Sequence, residues 1–262
     1  MGRVVTLDGK PPLVIAHRGA SGHRPENTLA AFALAVAQRA DMIETDLHRT
    51  RDGGIVITHD EELAGLGGRG EIADASLAEI RALDAGDGER VPTLDELLDG
   101  FGERIPFNLE LKRGTRADYD GLEAATLAAV AERGLLARTL FSSFYDPVLA
   151  RLRTLAPEAR LGLLISRRFP HDAVARARAL GAEALHPEQP LVDRRLVGQA
   201  HQAGLRVFVF TVDDEQEMAR LLGLGVDGLF TNFPDRMRRV VDSRGGNAVL
   251  FAEKSEADRG TA

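Results

Sequence analysis

The chain has 262 residues, of which 44% are hydrophobic and 28% are charged, and it carries a formal net charge of −7 and no cysteine. The length is typical of a single α/β barrel domain, and the acidic balance argues against broad binding of nucleic acid. The lack of cysteine excludes disulfides, thiolate metal sites and thiol nucleophiles. The N-terminus lacks the apolar segment of a signal peptide, and no apolar run reaches the roughly 18 residues that span a membrane, so we expect a cytoplasmic protein without integral membrane association.

Along the chain, short apolar runs alternate with amphipathic stretches, a pattern typical of buried parallel strands and surface helices. Eight strands are predicted at Leu13–Ala16, Met42–Leu47, Phe107–Leu111, Thr139–Ser142, Arg160–Leu164, Ala184–His186, Val207–Phe210 and Gly228–Phe230. Helices are predicted at Thr28–Arg39, Tyr119–Arg133, Pro147–Leu155, Ala173–Leu180, Leu196–Ala203 and Glu215–Leu224. Eight such units in a chain of this length predict a closed (β/α)8 TIM barrel.

The regular spacing breaks once, between Arg49 and Arg104. This segment holds a hairpin arm at Gly54–Thr58, a glycine-rich stretch at Gly65–Gly70, and two short helices near Leu77–Leu83 and Leu94–Leu98. We interpret about residues 60–104 as a small insertion after the second strand, lying over the barrel mouth. Residues 1–242 then form one barrel domain, and the polar, glycine-rich residues 243–262 are predicted to be a flexible tail.

Three carboxylates lie on strands whose C-terminal ends should meet at the barrel mouth, where the active sites of such barrels lie. Glu44 and Asp46 share one face of the second strand, and Glu110 lies on the third. Converging carboxylates repel each other unless a cation lies among them, and Mg²⁺ and Ca²⁺ prefer oxygen ligands. One divalent cation, Mg²⁺ or Ca²⁺, is therefore favoured over the alternative, a salt-bridge network of these acids with Arg18 and Lys112.

Two histidines, His17 and His59, reach the same mouth from different segments. A pair of imidazoles suits general acid and general base catalysis near neutral pH. Arg18 and Lys112 supply positive charge where a phosphate would bind. His48 shares the inward face of its strand and is a weaker candidate to line the mouth. The set predicts a phosphoryl-transfer site.

Ordered motifs along the chain resemble those of the glycerophosphodiester phosphodiesterase family. They are the run from Ile15 to Thr28, Glu44-Thr45-Asp46 with Asp52-Gly53 and His59-Asp60, Val91–Leu94, Asn108–Lys112, Phe210–Asp213 and Thr231–Asp235. The resemblance covers roughly Leu13 to Met237, which is nearly the whole chain. It implies the same barrel fold and a metal-dependent hydrolysis of small glycerophosphodiesters to glycerol 3-phosphate and an alcohol.

The resemblance also implies roles for the residues singled out above. These are metal ligation by Glu44, Asp46 and Glu110, acid–base catalysis by His17 and His59, and substrate contact by Arg18 and Lys112. The insertion after His59 corresponds to the cap region of the family. The nucleophile is either the glycerol C2 hydroxyl, as the resemblance suggests, or a water molecule, and the sequence does not separate the two.

The sequence departs from the family pattern at two positions and leaves other functions open. The family often has tryptophan where Phe210 stands, so Phe210 is expected to form an apolar wall against the substrate. It often has asparagine where Asp213 stands, and this carboxylate should weaken phosphate binding unless it points away.

One alternative function is that of a lysophospholipase D-like enzyme that acts on lipids, with Leu63, Leu66 and Ile72 as docking residues. Another alternative is a catalytically silent barrel. The protein is expected to be a monomer or a homodimer.

Overall fold

The computed structural model describes residues 6–168 and 170–244. Eight parallel strands form a closed barrel, because β1 pairs with both β2 and β9, and this confirms the predicted (β/α)8 fold. The barrel strands are β1 (Leu13–His17), β2 (Met42–Arg49), β4 (Phe107–Leu111), β5 (Thr139–Ser143), β6 (Arg160–Ile165), β7 (Ala184–Pro187), β8 (Arg206–Val209) and β9 (Gly228–Thr231). The short strand β3 (Ile55–Ile57) pairs antiparallel with β2 outside the barrel ring.

Helices surround the barrel. They are α1 (Leu29–Ala37), α2 (Leu77–Arg81), α3 (Leu94–Phe101), α4 (Leu122–Glu132), α5 (Asp146–Leu155), α6 (Ala173–Ala179), α7 (Arg194–Gln202) and α8 (Glu215–Leu222). Shorter 3₁₀ helices occupy Leu63–Leu66, Ile72–Asp74, Leu136–Arg138 and Gln189–Leu191, and residues 234–244 are helical. The hydroxyl of Thr28 accepts a hydrogen bond from the amide of Ala31 and so caps α1.

The ends of several elements differ from the prediction, and three of these differences have a local reason. β2 continues to Arg49, two residues beyond the predicted end, because its last three residues pair with β3. β8 ends at Val209, so Phe210 lies just beyond the strand, where it forms an isolated bridge with Glu188. The helix predicted from Tyr119 begins only at Leu122, after Gly121 takes the left-handed conformation.

Most of the hydrophobic core lies between the strands and the surrounding helices, and a smaller cluster fills the inside of the barrel. The inner cluster is lined by Ile15, Met42, Leu140, Ala184, Phe208 and Phe230. His186 of β7 is fully buried beside Phe208 and Phe230, with ring centroids 5.5 and 5.1 Å away. The interior below the mouth is therefore a packed core, as in other barrels of this type.

The segment between β3 and β4 builds its own small apolar cluster. Leu63 and Ile72 are buried in it together with Val56, Ile80 and Val91, and Leu66 packs against its edge. These side chains therefore pack mainly against one another within the insertion.

Two further sequence predictions concern the termini and the membrane. Residues 243 and 244 continue a helix, and the remainder of the predicted tail, 245–262, lies outside the described residues. Within residues 6–168 and 170–244, no helix combines the length and the apolar character needed to cross a bilayer.

Candidate active site

The three predicted carboxylates meet inside the mouth of the barrel. Asp46 lies directly opposite Glu110 in the pairing of β2 with β4, and Glu44 lies opposite His17 in the pairing of β1 with β2. One oxygen of each carboxylate lies within 4.8 Å of the others, and all three groups are buried. The inward alternation predicted from the sequence is therefore correct for this face of β2 and β4.

Two cationic side chains lie among these acids. The Nζ atom of Lys112 is 2.8 Å from Asp46 Oδ1 and 2.6 Å from Glu110 Oε1. The Nε atom of Arg18 is 3.3 Å from Asp46 Oδ2, and its Nη1 atom donates to both oxygens of Glu26. The salt bridges that the sequence allowed as an alternative to a metal are thus present.

Burial and these neighbours shift the three acids in different directions. Burial disfavours the charged form of Asp46, but Lys112 and Arg18 outweigh it and hold its pKa well below its usual range. Burial, reinforced by the nearby carboxylates, raises the pKa of Glu44 well above its usual range. Burial also raises the pKa of Glu110, although Lys112 opposes the shift. Two cations do not fully balance three carboxylates, so the cluster keeps a preference for additional positive charge.

The donor set fits a hard divalent cation. It consists of carboxylate oxygens from two neighbouring strands, close enough to contact one ion, with no sulfur or imidazole among them. Asn27 was not predicted as a site residue, yet its Nδ2 atom donates to Asp46 Oδ2 at 2.9 Å and its oxygen accepts from Thr45. This side chain orients Asp46, and the backbone of Asn27 is left-handed (φ 57°).

The turn after β1 places Arg18 at the mouth. Arg18 itself has a left-handed backbone (φ 55°), and its amide donates to Glu44 Oε2 at 3.0 Å. Gly19 follows with φ 81°, and a Cβ atom there would lie 2.7 Å from the backbone of Ala31. The geometry of the turn therefore requires glycine at position 19.

His17 is held at the end of β1 by one side-chain contact. Its Nδ1 atom lies 2.8 Å from Asn232 Oδ1, and the hydroxyl of Ser21 lies 2.8 Å from the same oxygen. Burial, with a contribution from Arg18, lowers the pKa of His17 to about 4, so the ring is neutral at physiological pH. A neutral imidazole at this place is suited to exchange a proton with a bound group.

His59 approaches the mouth from the loop after β3. Its ring is 39% exposed, and Nδ1 lies 2.7 Å from Asp60 Oδ1. His48 does not line the mouth but lies beneath this loop, with Nε2 3.1 Å from the His59 carbonyl oxygen and Nδ1 2.8 Å from the Tyr119 hydroxyl. The weak prediction that His48 lines the mouth is therefore replaced by a supporting position under His59.

The cavity at the mouth has a volume of about 240 Å³. All but one of the predicted site residues line it, and the exception is Asp46, which lies beneath Arg18 and Lys112. Phe210 forms part of an apolar wall that the sequence did not otherwise reveal, together with Phe144, Leu164 and Phe230. The ring of Phe210 contacts those of Phe144 and Phe230 edge-on at 5.8 and 6.5 Å. The cavity thus joins a charged side to an apolar side.

Asp213, the second departure noted in the sequence, is not among the residues that line the cavity. Its carboxylate accepts hydrogen bonds from Thr231 and Asn232. These contacts occupy the carboxylate away from the phosphate position, so the expected weakening of phosphate binding has no geometric basis.

Comparison with known proteins agrees with this geometry. The sequence profile of the Glycerophosphoryl diester phosphodiesterase family matches residues 17–236. A glycerophosphodiester phosphodiesterase from Caldanaerobacter subterraneus subsp. tengcongensis is 36% identical over 242 residues, which is 89% of this chain and 99% of that protein. One from Bacillus subtilis is 33% identical, covering 87% of this chain and 86% of that protein. The structure of an Oleispira antarctica phosphodiesterase in complex with the product sn-glycerol-3-phosphate superimposes with a TM-score of 0.79 at 34% identity, covering 90% of this chain and 99% of that one.

Proposed function

The chain belongs to the glycerophosphoryl diester phosphodiesterase family, and we propose that it hydrolyses small glycerophosphodiesters to glycerol 3-phosphate and an alcohol with one bound divalent cation. The observation that carries this proposal is the convergence of three carboxylates, two histidines and two cationic side chains on one small cavity. The Oleispira antarctica relative, which holds sn-glycerol-3-phosphate, supports the same class of product.

In this proposal the charged side of the cavity binds the phosphate. Glu44, Asp46 and Glu110 would hold Mg²⁺ or Ca²⁺, which supplies charge neutralisation at the phosphoryl oxygens when bound. Arg18 is fixed by Glu26 and Asp46, so its guanidinium is already oriented when substrate arrives.

The two histidines would transfer protons on either side of the phosphorus. One removes the proton of the nucleophile, and the other protonates the departing alcohol oxygen. Phe210 and its aromatic neighbours would exclude water from the carbon skeleton of the glycerol. If the nucleophile is the glycerol C2 hydroxyl, a substrate without that hydroxyl is not turned over, whereas direct attack by water leaves its turnover unchanged.

The lipid alternative is disfavoured by the apolar residues of the insertion. Leu63 and Ile72 are buried, and the large apolar side chains that are exposed among the described residues, Leu7, Tyr145 and Leu155, do not belong to the insertion. The cytoplasmic location and the choice between monomer and homodimer stay predictions from the sequence.

The test is a substrate panel with detection of released glycerol 3-phosphate. Glycerophosphocholine should be turned over with Mg²⁺ or Ca²⁺, turnover should stop in EDTA, and a lysophospholipid should be turned over less. Glu110→Gln should lose metal-dependent activity, while the matched control Glu103→Gln, which alters an exposed acid, should keep it. Full activity in EDTA would remove the cation from the mechanism. Faster turnover of the lysophospholipid would favour the lipid alternative, and no turnover of any phosphodiester would favour a silent barrel.

A further inference from the structure

The side chain of Asn108 brings a neutral polar group into the cavity from β4. Asn108 precedes Glu110 by two residues on the inward face of the strand, and both residues line the cavity. Asn108 is 1% exposed, and its Nδ2 atom donates to Ser142 Oγ at 2.9 Å. Its Oδ1 atom has no hydrogen-bond partner within residues 6–168 and 170–244. A buried amide oxygen without a partner destabilises a fold, so its place at a binding cavity favours a bound group that donates to it.

Asn108 lies where the charged and the apolar sides of the cavity meet. In the pairing of β2 with β4 it lies opposite Glu44, and its amide bonds to Ser142 of β5, the next strand around the barrel. Phe144 directly follows β5 and belongs to the apolar wall. A ligand group at Asn108 would therefore have the acid cluster on one side and aromatic rings on the other. The carbon skeleton of glycerol, with its hydroxyl groups, matches these surroundings better than the phosphate does.

The amide oxygen selects the kind of group that binds to it. An amide oxygen only accepts hydrogen bonds, and the oxygens of an ionised phosphodiester also only accept, so the phosphate cannot pair with Asn108 Oδ1. A glycerol hydroxyl can donate. The C2 hydroxyl is the one nearer to the phosphate, which the charged side of the cavity binds in the proposed function. The terminal hydroxyl on C1 extends farther toward the apolar side and is the better match for Asn108.

We propose that Asn108 is a specificity-determining residue that accepts a hydrogen bond from the terminal hydroxyl of the glycerol moiety. This inference rests on the proposed function and deepens it, because it names the atom that distinguishes glycerophosphodiesters from phosphodiesters of alcohols without that hydroxyl. Ser142 acts on the ligand only through Asn108, as a positioning residue that holds the amide. A site that pairs with a hydroxyl rejects an analogue lacking it, since the buried amide oxygen is then left without a partner.

Removing the amide should abolish this preference and leave the phosphate site intact. Asn108→Leu keeps a side chain of similar size and shape but offers no hydrogen bond. It should weaken the binding of sn-glycerol 3-phosphate roughly tenfold, the scale of one hydrogen bond to a buried acceptor. Binding of propane-1,2-diol 1-phosphate, which lacks only the terminal hydroxyl, should change by less than about twofold. The free energy of unfolding without ligand should stay the same or rise, because the variant removes a buried atom that has no partner.

Titration calorimetry of the full chain, with the cation that supports turnover, measures the two affinities directly. Neither phosphate carries an alcohol head group, so head-group contacts do not enter the comparison. Wild type should prefer sn-glycerol 3-phosphate roughly tenfold, and Asn108→Leu should bind the two phosphates alike. Thr126→Val is the matched control, because the Thr126 hydroxyl on α4 is also fully buried without a partner among the described residues but lies outside the cavity. This variant should keep the wild-type preference.

Three outcomes would overturn the inference. Wild type that turns over glycerophosphocholine but binds both phosphates equally has no site for the terminal hydroxyl. An equal loss of affinity for both phosphates in Asn108→Leu assigns the amide to the phosphate or to the fold. If Asn108→Leu instead loses only its preference against propane-1,3-diol phosphate, which lacks the C2 hydroxyl, Asn108 binds the other hydroxyl.

A second variant keeps the test decisive. If Asn108→Leu does not fold, Asn108→Ala removes the same amide without adding bulk and should show the same loss of preference. Failure of the proposed function gives a different result, because wild type would then neither bind sn-glycerol 3-phosphate nor turn over any glycerophosphodiester. That result would overturn the inference together with the function on which it rests.

Discussion

On the side formed by β1, β2 and β4, the barrel mouth carries acids, bases and cations, whereas on the side formed by β5 to β9 it carries mostly aromatic and aliphatic side chains. The charged side consists of Glu44, Asp46, Glu110, Lys112 and Arg18, with His17 and His59 at its rim. The apolar side consists of Phe144, Leu164, Phe210 and Phe230. Both sides face the same cavity of about 240 Å³, and Asp46 lies beneath Arg18 and Lys112 on the charged side.

The two sides of the mouth therefore suit different parts of a ligand, one its charged groups and the other its carbon atoms. Charged groups are costly to bury. Here they lie together, so that each acid has a cationic side chain nearby or can share in binding one cation. The apolar side costs nothing to bury and can enclose carbon atoms while excluding water. We therefore expect substitutions on the charged side to affect the chemical step and those on the apolar side to affect substrate binding.

The largest effect should come from the histidines at the charged rim. His17→Ala and His59→Ala should each lower kcat by ~10²–10⁴-fold, the range expected for an acid–base group. Added imidazole should restore part of the activity of His59→Ala, because the ring of His59 is 39% exposed. It should restore less in His17→Ala, where the site is more enclosed.

The control for these variants is His23→Ala, which removes a surface histidine that pairs with Asp235. It should keep the wild-type kcat. Wild-type kcat in either of the two alanine variants of the rim would falsify the assignment of that histidine.

The next effect concerns the cation balance of the acid cluster. Lys112→Met should lower the free energy of unfolding in EDTA by about 3 kcal/mol or more, since it leaves buried carboxylates without their cation. Added Mg²⁺ or Ca²⁺ should recover more stability in this variant than in wild type. Denaturant unfolding with and without EDTA measures both quantities, and kcat should also fall.

Lys10→Met is the matched control, because Lys10 is 78% exposed and its nearest acid, Asp8, is also at the surface. It should leave the free energy of unfolding unchanged in both conditions. If Lys112→Met behaves like this control in EDTA, the acids do not depend on Lys112 for their stability.

A smaller effect is expected on the apolar side. Phe210→Ala removes part of the wall and should raise KM about tenfold, which corresponds to a modest loss of apolar contact, while kcat changes less. Phe210→Trp keeps an aromatic wall and should stay closer to wild type. Steady-state kinetics with glycerophosphocholine separates KM from kcat.

Leu155→Ala provides the comparison, because Leu155 is an exposed apolar residue on α5 outside the cavity. Its KM should match that of wild type. Should Phe210→Ala lower kcat and leave KM unchanged, the apolar side of the mouth acts on the chemical step and not on substrate binding.

The same comparison explains what the sequence could reveal. The acids and histidines were predictable because charged residues at the ends of buried strands have no structural reason to be there. Phe144, Leu164 and Phe230 were not predictable, because an apolar residue that lines a cavity has the same pattern as one that fills the core. The barrel itself followed from eight buried strands, since such runs need helices on their outer side.

The supporting residues were missed for a different reason. Asn27 and Asn232 are polar residues in loops, where hydrogen bonding to solvent is the ordinary expectation. Asn27 bonds to Thr45, 18 positions along the chain, and Asn232 contacts His17, 215 positions away. Only the closed barrel brings these partners together. Strand alternation predicted that His48 lines the mouth, but its contacts with Tyr119 and with the His59 carbonyl oxygen could not be foreseen.

The last effect, which is absent at neutral pH, concerns His186, a buried ionisable group on the apolar side of the barrel. Burial, with a contribution from Arg206, lowers the pKa of His186 to about 3. In the unfolded chain a histidine titrates near 6.5, so between these two values the unfolded state binds a proton that the folded state does not. The free energy of unfolding should therefore fall as the pH drops through this window, by up to about 1.4 kcal/mol per pH unit, and level off below about 3. In His186→Leu this contribution should be absent.

Urea unfolding of wild type and His186→Leu at several pH values between 6 and 4 measures this slope directly. The difference between the two proteins should grow by about 1 kcal/mol for each unit of pH lowered, while kcat at neutral pH stays the same. His171→Leu, at an exposed histidine, should keep the wild-type pH dependence because His186 is intact. An equal slope in His186→Leu and wild type would mean that other ionisable groups govern the acid stability of the fold. The apolar side would then contribute to binding without contributing to the response to pH.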